Sequence, residues 1–367
     1  MKFNIPKRSK IIFFDVVDDI ILNIFKNQEV NIINLRLLKK EANIFIILRI
    51  LISYRLLRIL INEGIIIAYT SSFIEYSKAS KVITCVDNNT RFYCLKKYFR
   101  KVKFIAIQNG SRHVFMDLFG SPDLKKNLLC DEILVFGNSI KKKYKEHILS
   151  NVHCVGCFRN NNFSIFKIKK KKTILFLSQF RNFPEEKKMQ HFDKTFLTWK
   201  QLNLNLYKLL PNLLKYCKVN NLKLGVLSST GSHEEYQYFK RFFGRNYQWN
   251  FYKAKDRKQS YKILDMSEIV VNVWSTMGME SLSRGNKTCF FRQPDFGFND
   301  RHFGWPKKYI NNDIFYSNNC DYKTVSKILN NMLLIKDNNW REIVLKYSKD
   351  NLIYNFQNNK LVNLIKG

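Results

Sequence analysis

The stretch that decides the fold runs from Ile269 to Gly285 and reads Ile-Val-Val-Asn-Val-Trp-Ser-Thr-Met-Gly-Met-Glu-Ser-Leu-Ser-Arg-Gly. Its first five residues are apolar apart from one Asn, a composition typical of a strand that is buried on both faces. Ser275 and Thr276 then supply hydroxyl side chains of the kind that begin helices. A buried strand that leads through a short turn into a helix is the repeating unit of a parallel α/β sheet.

The same unit recurs along the chain as short runs rich in Ile, Val and Phe, most of them followed by a turn and a segment of helical period. In the first half these runs lie at residues 10–14, 65–69, 82–86, 104–108, 132–136 and 152–155. In the second half they lie at residues 173–178, 222–227, 249–252, 269–273 and 288–291. This alternation predicts parallel strands with helices packed on both faces of each sheet.

A polar and basic stretch from Arg159 to Lys172 interrupts the alternation, and we interpret it as an interdomain linker. We therefore predict an α/β chain of two doubly wound, Rossmann-like domains, residues 1–165 and 173–345, that face each other across a central cleft. Residues 346–367 are predicted to form a terminal helix that crosses back to the first domain. Ligands of such sheets bind beyond the carboxyl ends of the strands.

Charge and composition narrow the class of protein. The 367 residues include 63 Lys plus Arg against 29 Asp plus Glu, a net charge of +34, and 46% of the residues are apolar. An apolar fraction of this size excludes an unfolded basic tail. The charge predicts an anionic partner, which can be nucleic acid, a phosphorylated substrate or an acidic membrane face. A low-GC genome enriches Lys and would account for part of this positive charge.

Three sequence features bear on location. The acids among Asp15 to Asp19 speak against a secretory signal, and the eight scattered cysteines favour reduced thiols over a disulfide framework. Ala42–Ile61 has the length of a membrane span but contains three arginines, which would cost on the order of 8–10 kcal/mol at the bilayer centre. We expect instead a buried or surface-lying helix and a cytoplasmic protein.

Two loops that follow strands of the second half carry candidate phosphate-binding groups. In the first, Ser275, Thr276 and Gly278 open a helix whose free amides favour a phosphate, and Glu280 can accept hydrogen bonds from a ribose diol. In the second, His233 follows Gly231 and can donate to a phosphate. The alternatives are an ordinary capped helix in the first loop, and in the second Ser232 as N-cap with Glu235 completing a capping box.

A third loop of the second half, Ser178-Gln179-Phe-Arg181, lies directly beyond the linker, where Arg181 can clamp a phosphate. In the first half, strands end at Asp15, at Asp87-Asn88 and at Gln108-Asn109-Gly110, with His113 shortly after. A carboxylate beyond a buried strand is placed to act as a general base. Asp15 and Asp87 are the candidates and His113 the third, although each of them can equally cap the following helix.

Taken together, four motifs resemble those of bacterial surface-carbohydrate and O-antigen biosynthesis glycosyltransferases. They are Val-Asp-Asn-Asn-Thr-Arg-Phe-Tyr around Asp87, Ile-Gln-Asn-Gly-Ser-Arg around Asn109, Leu-Ser-Gln-Phe around Gln179, and the stretch from Trp274 to Gly285. The resemblance extends from about Ile11 to Tyr347. It implies a GT-B fold with an N-terminal acceptor domain, to which Asn88, Gln108, Asn109 and Gly110 belong, and a C-terminal nucleotide-sugar domain.

The resemblance also implies metal-independent catalysis in the cleft, no cofactor because the nucleotide sugar is a substrate, and the loop from Ser275 to Glu280 at the donor phosphates and ribose. More loosely, Ser275-Thr276 is similar to the phosphate motif of CMP-sugar sialyltransferases. Those enzymes carry a His-Pro pair that this chain lacks, so CMP, CDP, UDP and GDP donors all stay open. The implied acceptor is lipid-linked or a saccharide, in O-antigen or capsule synthesis at the inner face of the membrane.

Two rival functions differ in their requirements. A polyol-phosphate transferase of the CDP-glycerol or ribitol type would keep the same fold. A basic nucleic-acid-binding protein would carry an RNA-recognition string or zinc knuckles, and the sequence has neither. We therefore expect a nucleotide sugar, an acceptor and an anionic membrane surface as partners, and no nucleic acid.

Overall fold

The computed structural model of the chain describes residues 2–244, 247–292, 303–307 and 313–367. The strands within these ranges are β1 Ile11–Phe14, β2 Val30–Ile33, β3 Lys81–Thr84, β4 Lys103–Ile107, β5 Leu128–Val135, β6 Ile148–Cys154, β7 Lys171–Leu177, β8 Lys188–Gln190, β9 Phe196–Thr198, β10 Lys223–Leu227, β11 Trp249–Tyr252, β12 Ser267–Asn272, β13 Thr288–Phe291 and β14 Tyr316–Ser317.

The helices are α1 Asp19–Leu22, α2 Leu38–Glu41, α3 Ile44–Ile52, α4 Tyr54–Glu63, α5 Ile65–Ser77, α6 Thr90–Leu95, α7 Asn138–His147, α8 Phe158–Asn161, α9 Trp199–Leu202, α10 Leu204–Val219, α11 His233–Phe243, α12 Arg257–Met266, α13 Thr276–Ser283, α14 Tyr322–Leu334, α15 Asp337–Asn351 and α16 Asn359–Lys366.

The strands form two parallel six-stranded sheets and one antiparallel hairpin. The first sheet has the order β2-β1-β3-β4-β5-β6 and the second β11-β10-β7-β12-β13-β14, while β8 pairs with β9 outside both. The direction of winding reverses between β1 and β3 in the first sheet and between β7 and β12 in the second. Such switch points open a crevice beyond the carboxyl ends of the two central strands, where ligands of doubly wound sheets bind.

Alternating side chains explain why each sheet is buried on both faces. Ile12 and Phe14 of β1 belong to one core cluster, whereas Phe13, between them, belongs to another on the opposite face. In the second sheet, the neighbouring residues Ile174 and Leu175 of β7 likewise belong to two different core clusters. Because successive side chains of a strand point to opposite faces, a continuous apolar run serves both layers of helices at once.

The end of the chain returns to the first domain. Trp340 of α15 packs in the core of the second domain, and ten residues later the backbone reaches the first, where the Ser139 hydroxyl donates to the Asp350 carbonyl at 2.6 Å. Leu361 and Ile365 of α16 are fully buried in the core cluster that contains Phe13. The terminal helix thus ties the two domains together.

Two sequence-based predictions of secondary structure are wrong, and some strands were not predicted. Residues 65–69 begin helix α5 rather than a strand, since a short apolar run has no period of its own and Gly64, with φ +86°, starts a buried helix. Ala42–Ile61 is not one helix, because Ser53 ends α3 and caps α4. The strands β2 and β14 and the hairpin β8–β9 lie where no strand was expected. No helix in the described ranges is long and apolar enough to cross a membrane.

Candidate active site

The loops singled out in the sequence meet where the two sheets face each other. The Ser111 amide, from the loop after β4, donates to Thr276 Oγ1 at 3.1 Å, and the two hydroxyl oxygens lie 3.2 Å apart. Thr276 opens α13 directly after β12, a central strand of the second sheet. The candidate acceptor loop and the candidate donor loop are therefore in contact across the cleft.

The start of α13 is held in place by Asn272, the last residue of β12. Asn272 Oδ1 accepts from the Ser275 amide at 3.0 Å, its Nδ2 donates to the Ser275 carbonyl at 3.1 Å, and Ser275 Oγ accepts from the Met277 amide as the helix cap. A Cβ at position 278 would lie 2.2 Å from Asn272 Nδ2, so only Gly fits there. Gly278 thus lets the helix start lie flat against the strand end.

Glu280 is buried where the domains join, only 4% exposed. Its two carboxylate oxygens accept from Cys157 Sγ at 3.0 Å and from the Tyr261 hydroxyl at 2.9 Å. Burial, and then the nearby Glu280 carboxylate, raise the pKa of Cys157 and of Tyr261 well above their ordinary values. Glu280 therefore links the end of the first domain to α12, and a ribose would have to replace one of these two partners.

The loop after β10 is filled by a carboxylate of its own chain. Glu235 is fully buried, and its oxygens accept from the amides of residues 229, 230 and 231 at 2.7–3.0 Å. They also accept from the Ser178 hydroxyl at 2.5 Å and the Thr230 hydroxyl at 2.7 Å. Ser232 is the N-cap as expected, but Glu235 binds this loop rather than completing a capping box. The amides that could have bound a phosphate are occupied.

Three other candidates of the second domain line one groove of about 430 Å³. Gln179 Oε1 accepts from the Trp274 amide at 3.2 Å, which connects the groove to the start of α13. Arg181 is exposed and donates to the Ser229 hydroxyl at 3.4 Å. His233, the first residue of α11, is also exposed and contacts the Gln237 amide group at 3.1 Å. The structure thus brings Gln179, Arg181 and His233 together.

In the first domain, Gln108, Asn109 and Gly110 stabilise their own loop. Gln108 is buried, donates to the Gly110 carbonyl at 2.9 Å and accepts from the Phe136 amide at 2.8 Å. Asn109 Oδ1 accepts from Arg112 Nη2 at 2.7 Å. These contacts fix the shape of the loop that touches Thr276, while the polar groups of Gln108 point inward rather than toward an acceptor.

Asp87 lies at the centre of a buried polar cluster and is 0% exposed. Its carboxylate accepts from the Asn109 amide at 3.1 Å and from the Tyr144 hydroxyl, and Arg112 Nε lies 3.2 Å away. Burial raises the pKa of Asp87, and the Arg112 charge opposes this rise. Burial disfavours the charge on Arg112, but Asp87 and Asp117 outweigh it and raise the pKa of the guanidinium. With both oxygens engaged, this carboxylate is placed to hold the loop.

Asp15 is held less tightly than Asp87. It lies directly beyond β1, at the switch point, in the left-handed region with φ +70°. One oxygen accepts from the Val16 amide at 2.9 Å, and the other is 3.4 Å from Asn89 Nδ2. His113 lines a small cleft pocket together with Met279 of the second domain. Asn88 is exposed and donates to Asp117 at 2.8 Å.

Sequence reasoning missed the ionic residues that organise these loops. Asp117 accepts from Arg112 Nη1 at 3.1 Å and from the His113 amide at 3.1 Å. Arg159 donates to Asp18 at 2.8 Å and to the Asn109 carbonyl at 3.0 Å. Arg112 lies in the motif around Asn109, which is a signal that could have identified it. Arg159 and Asp18 are 141 positions apart, and their pairing leaves no pattern in the sequence. Among the described residues, no group of three or more His, Cys, Asp or Glu could hold a metal ion.

Two doubly wound sheets that face each other across such a cleft define a GT-B protein, and solved structures confirm the fold. S. aureus MnaA with UDP is similar at TM-score 0.55 and 12% identity, over 98% of this chain and 96% of that one. Methanocaldococcus jannaschii UDP-GlcNAc 2-epimerase with UDP-GlcNAc and UDP is similar at TM-score 0.54 and 11% identity, over 97% of this chain and 98% of that one. The wall teichoic acid polymerase TagF with CDPG is similar at TM-score 0.50 and 11% identity, over 98% of this chain and 88% of that one.

A family model described as "putative O-antigen biosynthesis protein" matches residues 105–367, well over half of the chain. The chain belongs to this family, which confirms the resemblance that the four motifs indicated. No curated protein sequence matches the chain significantly.

Proposed function

We propose that this protein is a glycosyltransferase that moves a sugar from a nucleotide-activated donor to a lipid-linked or saccharide acceptor in the synthesis of a surface polysaccharide. The observation that carries the proposal is the contact between Ser111 and Thr276, which brings the carboxyl-end loops of two Rossmann-like sheets together. The family supports the pathway, and the UDP-GlcNAc in the complex of the similar Methanocaldococcus jannaschii epimerase supports the donor class.

In this proposal the second domain binds the donor. The start of α13 presents its first amides and the positive end of the helix dipole beside Gln179, a position suited to a leaving phosphate. Arg181 and His233 are exposed in the adjoining groove rather than at this phosphate position. In the first domain, Asp15 has the freer carboxylate and is the better candidate than Asp87 for deprotonating an acceptor hydroxyl. We infer no cofactor and no metal requirement.

Calorimetric titration with CMP, CDP, UDP and GDP tests the proposal. We expect one nucleotide to bind well above the others, with its affinity reduced about tenfold or more by Thr276→Val, since that change removes a hydroxyl beside the amides of α13. Leu345→Ala on the exposed face of α15 is the control. If no nucleotide binds, and RNA or DNA binds with a steep salt dependence instead, the transferase assignment is wrong.

A polyol-phosphate transferase is the second candidate, because TagF, solved with CDPG, shares the fold over 98% of this chain. Both functions require a nucleotide at the same cleft, so nucleotide binding alone does not separate them. Incubation with CDP-glycerol and with nucleotide sugars, followed by mass spectrometry of the acceptor, distinguishes a glycerol phosphate addition from a hexose addition.

The location we propose is the cytoplasmic face of an acidic membrane, reached through α3 and α4. Leu51 is 57% exposed, and Ile52 and Ile61 are above 80%. Beside them, a hollow of about 470 Å³ is lined by five basic residues, Arg55, Lys78, Lys97, Arg100 and Lys101, and by Glu75; Arg55 is paired with Glu75, and Lys97 with Glu63. An apolar surface rimmed by cations suits the interface of a bilayer that carries anionic lipid.

Vesicle sedimentation checks this location. Leu51→Glu with Ile52→Glu should weaken binding to phosphatidylglycerol vesicles about tenfold or more, since burying each side chain contributes about 1.5 kcal/mol. Binding should also fall in high salt. Leu345→Glu, on an equally exposed apolar residue of α15, should leave binding unchanged. Equal loss in both variants would show that the added charge alone weakens binding.

A further inference from the structure

The groove beside α11 has the composition of a saccharide-binding site. It has a volume of about 430 Å³ and is lined by α9, α11, the segment 179–185 and the start of α10, and its lining includes the carboxylates of Glu185 and Glu234. Ligand sites of this size are lined mainly by apolar and aromatic side chains with a few polar groups at fixed positions. The aromatic residues that line the groove are Phe180, Phe183, Trp199, Tyr207 and Tyr238.

The aromatic rings are held in fixed orientations by one another. Phe183 and Trp199 meet edge to face at 5.3 Å and 85°, and Phe180 and Tyr238 are tilted at 5.3 Å. Burial raises the pKa of Tyr207 to about 12, which keeps its hydroxyl neutral. Rings fixed in this way can stack on the apolar faces of sugar rings without losing much side-chain entropy.

Polar groups run along the same groove at helical spacing. His233, Gln237 and Arg241 lie four residues apart on α11 and form one row about 12 Å long, which has room for more than one sugar ring. Arg181 lies in the facing segment, where its guanidinium donates to the Phe180 carbonyl and the Ser229 hydroxyl, both at 3.4 Å, and to no carboxylate in the described part of the chain. Arginines are suited to bidentate contacts with carboxylates.

A ligand of this groove would be bound by side chains rather than by backbone amides. The amides nearest to the groove, those of residues 229–231, already bind the Glu235 carboxylate. The aromatic rings and the arginines of the groove are the groups that would bind a sugar acid. Gln179 joins the inner end of the groove to the start of α13, so a chain bound along α11 would lead toward the cleft.

We propose that the groove beside α11 binds an acidic saccharide, with sugar rings stacked on Trp199 and Tyr238 and a carboxylate bound by Arg241. The proposal rests on the proposed transferase function and names the class of its acceptor as an anionic glycan. The groove is separate from the nucleotide position at α13, so the two ligands should bind independently.

Calorimetry with trigalacturonic acid, maltotriose and citrate tests the proposal. The first has three sugar rings and three carboxylates, the second has only the rings and the third only the carboxylates. Trigalacturonic acid should bind about tenfold or more tightly than either of the others, and Arg241→Gln should remove most of that difference. Trp199→Leu should weaken the binding of both sugars. Arg341→Gln, the same change at an exposed arginine of α15 outside the groove, should have no effect.

Three outcomes would overturn the proposal: equal binding of citrate, equal loss in Arg341→Gln, or no binding of trigalacturonic acid. Competition between trigalacturonic acid and the nucleotide would also overturn it, because it would place both ligands in one site. Nucleotide binding by Arg241→Gln should match the unsubstituted protein. Saccharide binding without any nucleotide binding would refute the transferase function and leave the groove assignment standing.

Discussion

Asp15→Asn should lower the rate of sugar transfer by roughly 10²- to 10⁴-fold, the usual contribution of a general base, while nucleotide affinity stays unchanged. Asp15 lies beyond β1 at the switch point of the acceptor-side sheet, and one of its oxygens has only a 3.4 Å contact with Asn89. The rival carboxylate, Asp87, is fully buried with partners on both oxygens. Asp15, although only 6% exposed, therefore has the less engaged carboxylate of the two and is the better candidate to accept a proton from an acceptor hydroxyl.

Asn is the suitable replacement because Asp15 has a positive φ of +70°, a conformation that Asn adopts more readily than Ala. An effect on turnover can then be read without added backbone strain. Asp19→Asn, an exposed carboxylate four residues later, is the matched control and should retain nearly full activity. Near-normal turnover would show that no base is needed there, as a retaining mechanism allows.

Most of the fold could be predicted because buried parallel strands leave a strong local signal. Ten of the eleven apolar runs overlap strands, and the exception, residues 65–69, is a buried helix whose first turn is equally apolar. The strand β2 was not predicted because Val30–Ile33 lies at the edge of its sheet and includes an Asn. The hairpin β8–β9 has no apolar alternation to mark it, and His191 at its end packs instead on Phe115 of the other domain.

The site was predicted less completely, for a physical reason. Strand ends locate loops, and the loops at Gln108, Gln179 and Ser275 do lie where the sheets face each other. The hydrogen-bond partners of each loop are residues that are distant in sequence or that lie on a neighbouring helix. Glu235 occupies the amides beside His233, and Cys157 reaches Glu280 from the other domain. Such pairings depend on tertiary packing, which no local pattern encodes.

Arg284→Met should destabilise the protein by about 3–5 kcal/mol, the usual cost of leaving one partner of a buried ion pair without the other. Arg284 and Asp265 have side chains that are 0% and 1% exposed, and they are joined by two hydrogen bonds at 2.5 and 3.0 Å. The same guanidinium donates to the Phe163 and Ser164 carbonyls of the interdomain linker at 3.1 and 2.8 Å. It also lies 4.9 Å from the Tyr261 ring.

Urea denaturation measures this loss, with Arg341→Met at an exposed position of α15 as the control, expected within about 0.5 kcal/mol of the unsubstituted protein. Adding Asp265→Asn to Arg284→Met should recover part of the loss, because it removes the buried charge left behind. Arg284→Lys should restore little, since an ammonium lacks the planar fork that reaches Asp265 and the linker carbonyls together. A loss below about 1 kcal/mol in Arg284→Met would contradict a structural role. If the large loss is found and Lys fails to rescue it, the planar geometry of the guanidinium, rather than its charge alone, fixes the linker against α13 and so sets how the two domains face the cleft.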